Sequence, residues 1–369
     1  MKKQLFNFSF AFATVLLFAQ CTKDQAPTPV PSTPTLTKVQ LGKLIFHSTV
    51  LSNPSGQSCA SCHASTAGFA DPDNFAVSPG INTGMFGNRN APMACYATYT
   101  PSFSINAVDS VCIGGQFWDG RVNTLAEQAT KPFFNPLEMN ITDVTMFVSK
   151  LKSTTFYSDY VKIYGETTDE QKILTNVGDA IAAFESSEEV NPFSSKFDAV
   201  LKGNATFTET ESKGRKLFVG KGLCASCHLI DPDEASGKIL FTDFKFHNIG
   251  VPKNPNNPFY KMSSQHNPNG ANFIDLGLGD RLKNPRYNGY FKCSSLRNIA
   301  LTAPYMHNGA LKTLEEVVHF YNSRDVDGTL AKPEVPEGMN TYEVGDLKLT
   351  TEEEGAIVAF LKTLTDGYK

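Results

Sequence analysis

Two identical pentapeptides, Cys59-Ala60-Ser61-Cys62-His63 and Cys224-Ala225-Ser226-Cys227-His228, carry the most specific chemistry in this chain. In a Cys-x-x-Cys-His run, two thiols add to the vinyl groups of a haem and fix the macrocycle covalently. The next residue then offers an imidazole to the iron as proximal ligand. The competing reading is a redox or zinc Cys-x-x-Cys beside an incidental histidine, and it requires the same accident twice. The two runs therefore point to two covalently bound haem c groups, with His63 and His228 on the irons.

These runs use four of the eight cysteines. Cys21 follows a basic start (Lys2, Lys3) and an apolar stretch from Leu5 to Ala19. That stretch is too short to span a bilayer and reads as the core of a signal peptide over residues 1–20. Cys21 is then the lipidation site of an exported lipoprotein; the alternative is ordinary cleavage nearby and a soluble product. Residues 21–35, with prolines at 27, 29, 31 and 34, read as an extended tether. The expected location is the periplasm of a Gram-negative bacterium, at a membrane surface. Export permits a disulfide between Cys95 and Cys112, which would leave Cys293 unpaired and buried.

The elements that must position this chemistry are mainly helical. Val39, Leu41, Leu44 and Ile45 mark one helix, and Val144, Phe147, Val148 and Leu151 a second. Ile173, Val177, Ile181 and Phe184 mark a third. Leu314, Val317, Val318 and Tyr321 share one inward face. The last helix opens on a capping box of Thr351 and Glu354. Long loops at 64–116 and 229–295 are rich in Gly, Pro and Asn, as segments that wrap a ligand tend to be. Gly42-Lys43-Leu44-Ile45-Phe46 precedes the first pentapeptide and Gly214-Arg215-Lys216-Leu217-Phe218 the second, a weak internal repeat. We therefore expect an all-α protein of two cytochrome c-like haem domains with long loops, at 36–190 and 191–369. The 369 residues, 41% of them hydrophobic, suffice for two cores and exclude a largely disordered chain. With 33 basic and 37 acidic side chains, the charge speaks against a nucleic-acid binder of the usual basic kind.

Outside the haem motifs the chain carries Phe117-Trp118-Asp119-Gly120-Arg121, Glu127-Gln128-Ala129 and Asn135-Pro136-Leu137-Glu138-Met139. In its second half it carries Leu296-Arg297-Asn298-Ile299-Ala300-Leu301-Thr302-Ala303-Pro304-Tyr305-Met306-His307-Asn308-Gly309, then Thr313-Leu314-Glu315-Glu316-Val317-Val318. From about residue 36 to 365 it resembles the bacterial di-haem cytochrome c peroxidase and MauG family. The resemblance implies that the N-terminal haem is the peroxide site, with Glu138 moving a proton between the peroxide oxygens and Gln128 as its polar neighbour. It implies Pro132 in the same pocket and Trp118 between the haems. Asn90, Thr302 and Pro304 match positions that give oxygens to a calcium ion between the domains. His307 matches a histidine that meets a haem propionate. Hydrogen peroxide, an electron-donor cytochrome c or similar redox protein, and in some relatives a second copy of the chain are the implied partners.

Two departures from the family pattern matter. Many of its peroxidases carry a histidine, in the loop after the first haem motif, that caps the peroxidatic iron. Here no histidine lies between Ala64 and Trp118, and the aligned stretch is Val77-Ser78-Pro79-Gly80. The expectation is a first haem that is five-coordinate or water-bound without prior reduction; Met85 and Met93 are the substitutes to weigh, with loop packing the leading role for each. The second is Tyr321, which stands where the peroxidases place a methionine on the second iron and MauG-type proteins a tyrosine. A phenolate ligand favours the oxidised metal, whereas Met raises the potential. Met306 and Met262 are the alternative ligands. His247, in the loop after the second motif, is expected to pack against that haem. The leading expectation is a peroxidase that reduces hydrogen peroxide to water with electrons from a small redox protein. The alternative is a MauG-like oxidase acting on a protein or organic substrate. A non-enzymatic di-haem electron carrier comes third, since a carrier has no use for an acid–base pair at an open iron.

Overall fold

The structure, a computed structural model, describes Met1 and residues 36–369. The export signal, Cys21 and the tether lie outside the described residues. Twelve helices are present among the described residues: α1 (Lys38–Phe46), α2 (Cys59–Cys62), α3 (Leu125–Gln128), α4 (Lys131–Phe134), α5 (Val144–Lys152), α6 (Tyr157–Tyr164), α7 (Glu170–Glu185), α8 (Lys196–Leu201), α9 (Glu209–Val219), α10 (Leu278–Leu282), α11 (Leu314–Ser323) and α12 (Thr351–Lys362). Among the described residues sheet is confined to two antiparallel pairs of two-residue strands. β1 (Ser104–Ile105) pairs with β2 (Cys112–Ile113), and β3 (Phe246–His247) with β4 (Phe291–Lys292) in the register Phe246↔Lys292. None of the described helices is long and apolar enough to cross a membrane.

The repeat seen in sequence is a repeat of packing. Thr37 caps α1 in a capping box with Gln40, and Thr208 caps α9 in the same way with Glu211. Each helix then crosses a distant partner at a glycine. A Cβ on Gly42 would stand 1.9 Å from the Ala180 carbonyl oxygen of α7, and one on Gly214 1.8 Å from the Ala356 oxygen of α12. Only hydrogen fits at either crossing. Beside them Phe46 meets Phe184 edge-on at 5.2 Å and Phe218 meets Phe360 edge-on at 5.3 Å, a favoured aromatic geometry.

Two large hydrophobic clusters result. One gathers α1, α5, α6 and α7 around Leu41, Ile45, Phe147, Val177, Ile181 and Phe184. The other gathers α8, α9, α11 and α12 around Phe197, Phe218, Val318, Ile357 and Phe360. Of the α1 residues expected from periodicity, Leu41 and Ile45 are buried, while Val39 and Leu44 are exposed. The α12 cap differs by one residue from the expectation: Thr350 and Glu353 form the capping box, so Thr351 is already inside the helix.

Polar anchoring supports the second cluster. The Arg297 guanidinium donates both terminal nitrogens to the Asp198 carboxylate at 3.0 Å, with both side chains buried, and its Nε donates to the Ile239 carbonyl at 2.7 Å. The expected disulfide is absent. Cys95 and Cys112 are both free, because Cys95 belongs to the first large cluster and Cys112 to a small third one with Phe246, Leu278 and Tyr287. Cys293 is free as well, but only partly buried.

Candidate haem-binding sites

Each pentapeptide borders its own cavity. The first, about 300 Å³, is lined by Cys59, Cys62 and His63. The second, about 200 Å³, is lined by Cys224, Cys227 and His228 and by a largely apolar wall. Local structure presents the two motifs differently: Cys59–Cys62 is a turn of α-helix capped by Ser58, whereas Cys224–Ser226 is a 3₁₀ turn.

The residues present fit a covalent haem in both places. All four thiols are free. His63 Nδ1 donates to the Phe69 carbonyl at 3.2 Å and His228 Nδ1 to the Phe241 carbonyl at 2.9 Å. A carbonyl can only accept, so each ring carries its proton on Nδ1 and turns an unprotonated Nε2 to a metal. Burial lowers the pKa of both imidazoles, which keeps them neutral as ligands. In the second cavity His307 is buried, stacked on Phe291 at 3.6 Å with 10° between the rings, and its Nε2 has no partner. An orphaned buried nitrogen facing the cavity suits an acidic edge of the macrocycle.

The structure brings Trp118, Gln128, Pro132 and Glu138 to the wall of the first cavity, together with Asn90, Met93 and Ser78. Gln128 ends α3, Pro132 opens α4, and the turn after α4 carries Glu138. The Asn135 amide donates to Glu138 Oε1 at 2.8 Å and holds it in place. Burial raises the Glu138 carboxyl above its ordinary value, against the opposing pull of that hydrogen bond and of the Arg121 charge. A carboxyl whose pKa is raised this way is a stronger proton acceptor than a solvated one. The loop that lacks a histidine lies directly on this turn. The Ile81 N–H donates to the Glu138 carbonyl at 2.8 Å, and a Cβ on Gly80 would meet the Leu137 oxygen at 2.3 Å. Ser78, whose hydroxyl bonds Asp71, is the side chain this loop gives to the cavity, and Met85 does not reach it.

Tyr321, Met306, His307 and His247 all line the second cavity, and Met262 does not. Leu314, Val317, Val318 and Tyr321 line it as one face of α11. Burial raises the Tyr321 phenol, so a phenolate there requires a positive charge opposite. His247 Nε2 pairs with Asp243 at 3.0 Å and its Nδ1 lies 4.0 Å from Cys227 Sγ, consistent with packing beside the macrocycle.

Of the three residues matched to calcium, Asn90 is tied to the 302–307 segment through its N–H, which donates to the His307 carbonyl at 2.7 Å. Its amide nitrogen is committed to the Phe75 and Ala76 carbonyls. Thr302 and Pro304 border neither cavity.

Three residues beyond the sequence reading also shape the sites. Glu185, at the end of α7, is buried in the first cavity wall; burial pushes its carboxyl up to about 8, and its Oε2 has no partner. The apolar stripe Ile181–Phe184 runs into it, which was the available signal. Gln57 leaves its Oε1 unpartnered in the same wall. Lys292 lines both cavities, and nothing in its flanking sequence announces this. Trp118, Cys293, Ser294 and Ser295 likewise border both, so one short run of chain and one indole separate the two sites.

Known proteins resemble this chain in sequence and in fold. Residues 36–206 match the family model described as di-haem cytochrome c peroxidase. The methylamine utilization protein MauG of Paracoccus denitrificans (strain Pd 1222) is 34% identical over 88% of this chain and 88% of its own. The cytochrome-c peroxidase IdrP2 of Pseudomonas sp. (strain SCT) is 32% identical over 93% of this chain and 85% of its own. The crystal structure of the diheme peroxidase BthA from Burkholderia thailandensis E264 superposes with a TM-score of 0.79 at 32% identity, covering 93% of this chain and 89% of that one. The chain belongs to the di-haem cytochrome c peroxidase family, a family of oxidoreductases with peroxidase activity whose cofactors are two c-type haems.

Proposed function

We propose that this protein reduces hydrogen peroxide to water in its first cavity, with electrons from a small redox protein such as a cytochrome c. The observation that carries this reading is the placement of Glu138 and Gln128 in one cavity wall with His63. The overall change consumes one peroxide, two electrons and two protons and releases two waters. The haem, when bound, supplies the iron at which the O–O bond is reduced. Glu138 accepts a proton from the near peroxide oxygen and returns it to the far one. Asn135 fixes the carboxyl by its 2.8 Å hydrogen bond, and Gln128 orients the peroxide. Trp118, bordering both cavities, is the aromatic bridge for electrons arriving from the second site.

A second reading, a MauG-like oxidase that turns the same oxidising equivalents on a protein or organic substrate, is favoured by Tyr321. As a ligand of the second iron, its phenolate would favour the ferric state and slow electron uptake. Stopped-flow addition of peroxide to the ferric and the half-reduced protein, with and without reduced cytochrome c, separates the readings. Rapid donor turnover supports the peroxidase. A long-lived two-electron-oxidised protein without donor turnover supports the oxidase, and indifference to peroxide in both states leaves an electron carrier. The proposal extends to a calcium ion held near Asn90, Thr302 and Pro304, to a division into domains at 36–190 and 191–369, and to lipid anchorage at Cys21 on the periplasmic side of a membrane.

A further inference from the structure

Lys292 is a cation whose surroundings are incomplete. It ends β4, and its backbone N–H donates to the Trp118 carbonyl at 2.9 Å. Its ammonium has three protons to give. One goes to the Gly115 carbonyl at 2.6 Å. The carboxylate whose charge it feels, Asp119, is already engaged by Arg89 at 2.8 Å and Arg121 at 3.0 Å. Burial disfavours the charged form and lowers the ammonium to about 8. Every nitrogen of the cation Arg89 is engaged by contrast, two by Asp275 and the third by Asp119. An ammonium at the wall of two cavities with two of its three protons unplaced is suited to meet an anion there.

Each haem brings two carboxylates into a low-dielectric cleft, and these need cations or donors in turn. In the second cavity His307 Nε2 is one unpartnered site. Phe291, stacked on His307, is the residue next to Lys292 and lines the same cavity. We propose that Lys292 holds a haem propionate where the two cavities meet, and that its charge acts on both irons at once. The inference rests on two haems being held, and not on which oxidation they perform. A positive charge between the sites stabilises the reduced state of each iron, since reduction adds a negative charge nearby.

The test uses the haem-loaded full chain and two variants, Lys292→Met and Lys292→Arg, with both midpoint potentials read by spectroelectrochemistry. Lys292→Met is expected to shift the reduction equilibrium of both haems toward the ferric state by about tenfold, and Lys292→Arg to hold both within about threefold of wild type. Potentials unchanged in a Lys292→Met protein of normal haem content overturn the proposal. Should Lys292→Met load no haem, the Lys292→Arg protein decides by resonance Raman. A displaced propionate bending band supports the contact, and a band identical to wild type overturns it. Neither readout depends on peroxide turnover, so failure of the peroxidase reading would leave this result standing.

Discussion

Trp118 donates its indole N–H to the Asn90 carbonyl at 2.8 Å. Asn90 donates its own N–H to the His307 carbonyl at 2.7 Å, so the only tryptophan of the chain is joined through backbone to a residue of the second cavity wall. Trp118→Phe keeps an aromatic ring but removes the donor. We expect a stability loss of about 1–3 kcal/mol from the unpaired Asn90 oxygen. Turnover with a reduced cytochrome c donor should fall, while the rate of the first reaction with peroxide stays unchanged. An unaltered donor rate would remove Trp118 from the electron path.

Glu138→Gln preserves shape and the contact with Asn135 but cannot carry a proton. Peroxide turnover should drop by about 10²- to 10⁴-fold, the usual span for losing a positioned acid–base group. Haem content and the ferric absorption spectrum should match wild type. Retained turnover would place proton transfer elsewhere.

Tyr321→Phe deletes the phenol from the second cavity. With Tyr321 as a ligand, the ferric spectrum of the second haem changes and its midpoint potential rises, while the first haem is unaffected. An unchanged second-haem spectrum refutes ligation and returns Met306 to consideration.

Glu185 sets a pH dependence of stability whose sign is fixed by the direction of its shift. Its folded pKa is about 8, against 4.5 for the exposed group. Between these values the unfolded chain has released the proton and the folded chain retains it, so stability falls as pH rises through that window and levels off above it. Glu185→Gln removes this slope and gains on the order of 4 kcal/mol at most at pH 8. Urea unfolding at pH 5 and pH 8 measures it, and parallel pH slopes for the two proteins would falsify the assignment.

Asp198→Asn leaves the buried Arg297 guanidinium without its anion. The expected cost is about 3–5 kcal/mol, read as a lowered urea midpoint. Combining it with Arg297→Met should recover much of that loss, because the stranded charge is gone.

The two pentapeptides were legible because they are local: five consecutive residues make up each, and the fold then sets each at the wall of its own cavity. Helical faces were legible for the same reason, and Ile173, Val177, Ile181 and Phe184 are all buried as their spacing predicts. Cys95 and Cys112 show where this stops. Their spacing allows a disulfide, but pairing depends on which core each residue joins, and they join different ones. Lys292 and Glu185 were missed for a related reason. A charged side chain becomes informative only when its burial and its empty hydrogen-bond positions are known, and both are properties of the assembled fold.

The glycine crossings of α1 with α7 and of α9 with α12 join parts of the chain that lie far apart in sequence. Each haem cavity is therefore closed by its last helix, long after the cysteines that border it have emerged. Ile357 and Leu361 of α12 line the second cavity directly. A chain ending at residue 350 would still carry Cys224, Cys227 and His228, but one side of that cavity would open to water. Closure entropy for such long segments is spent before the cluster around Phe360 can compensate, so α12 is expected to dock late in folding.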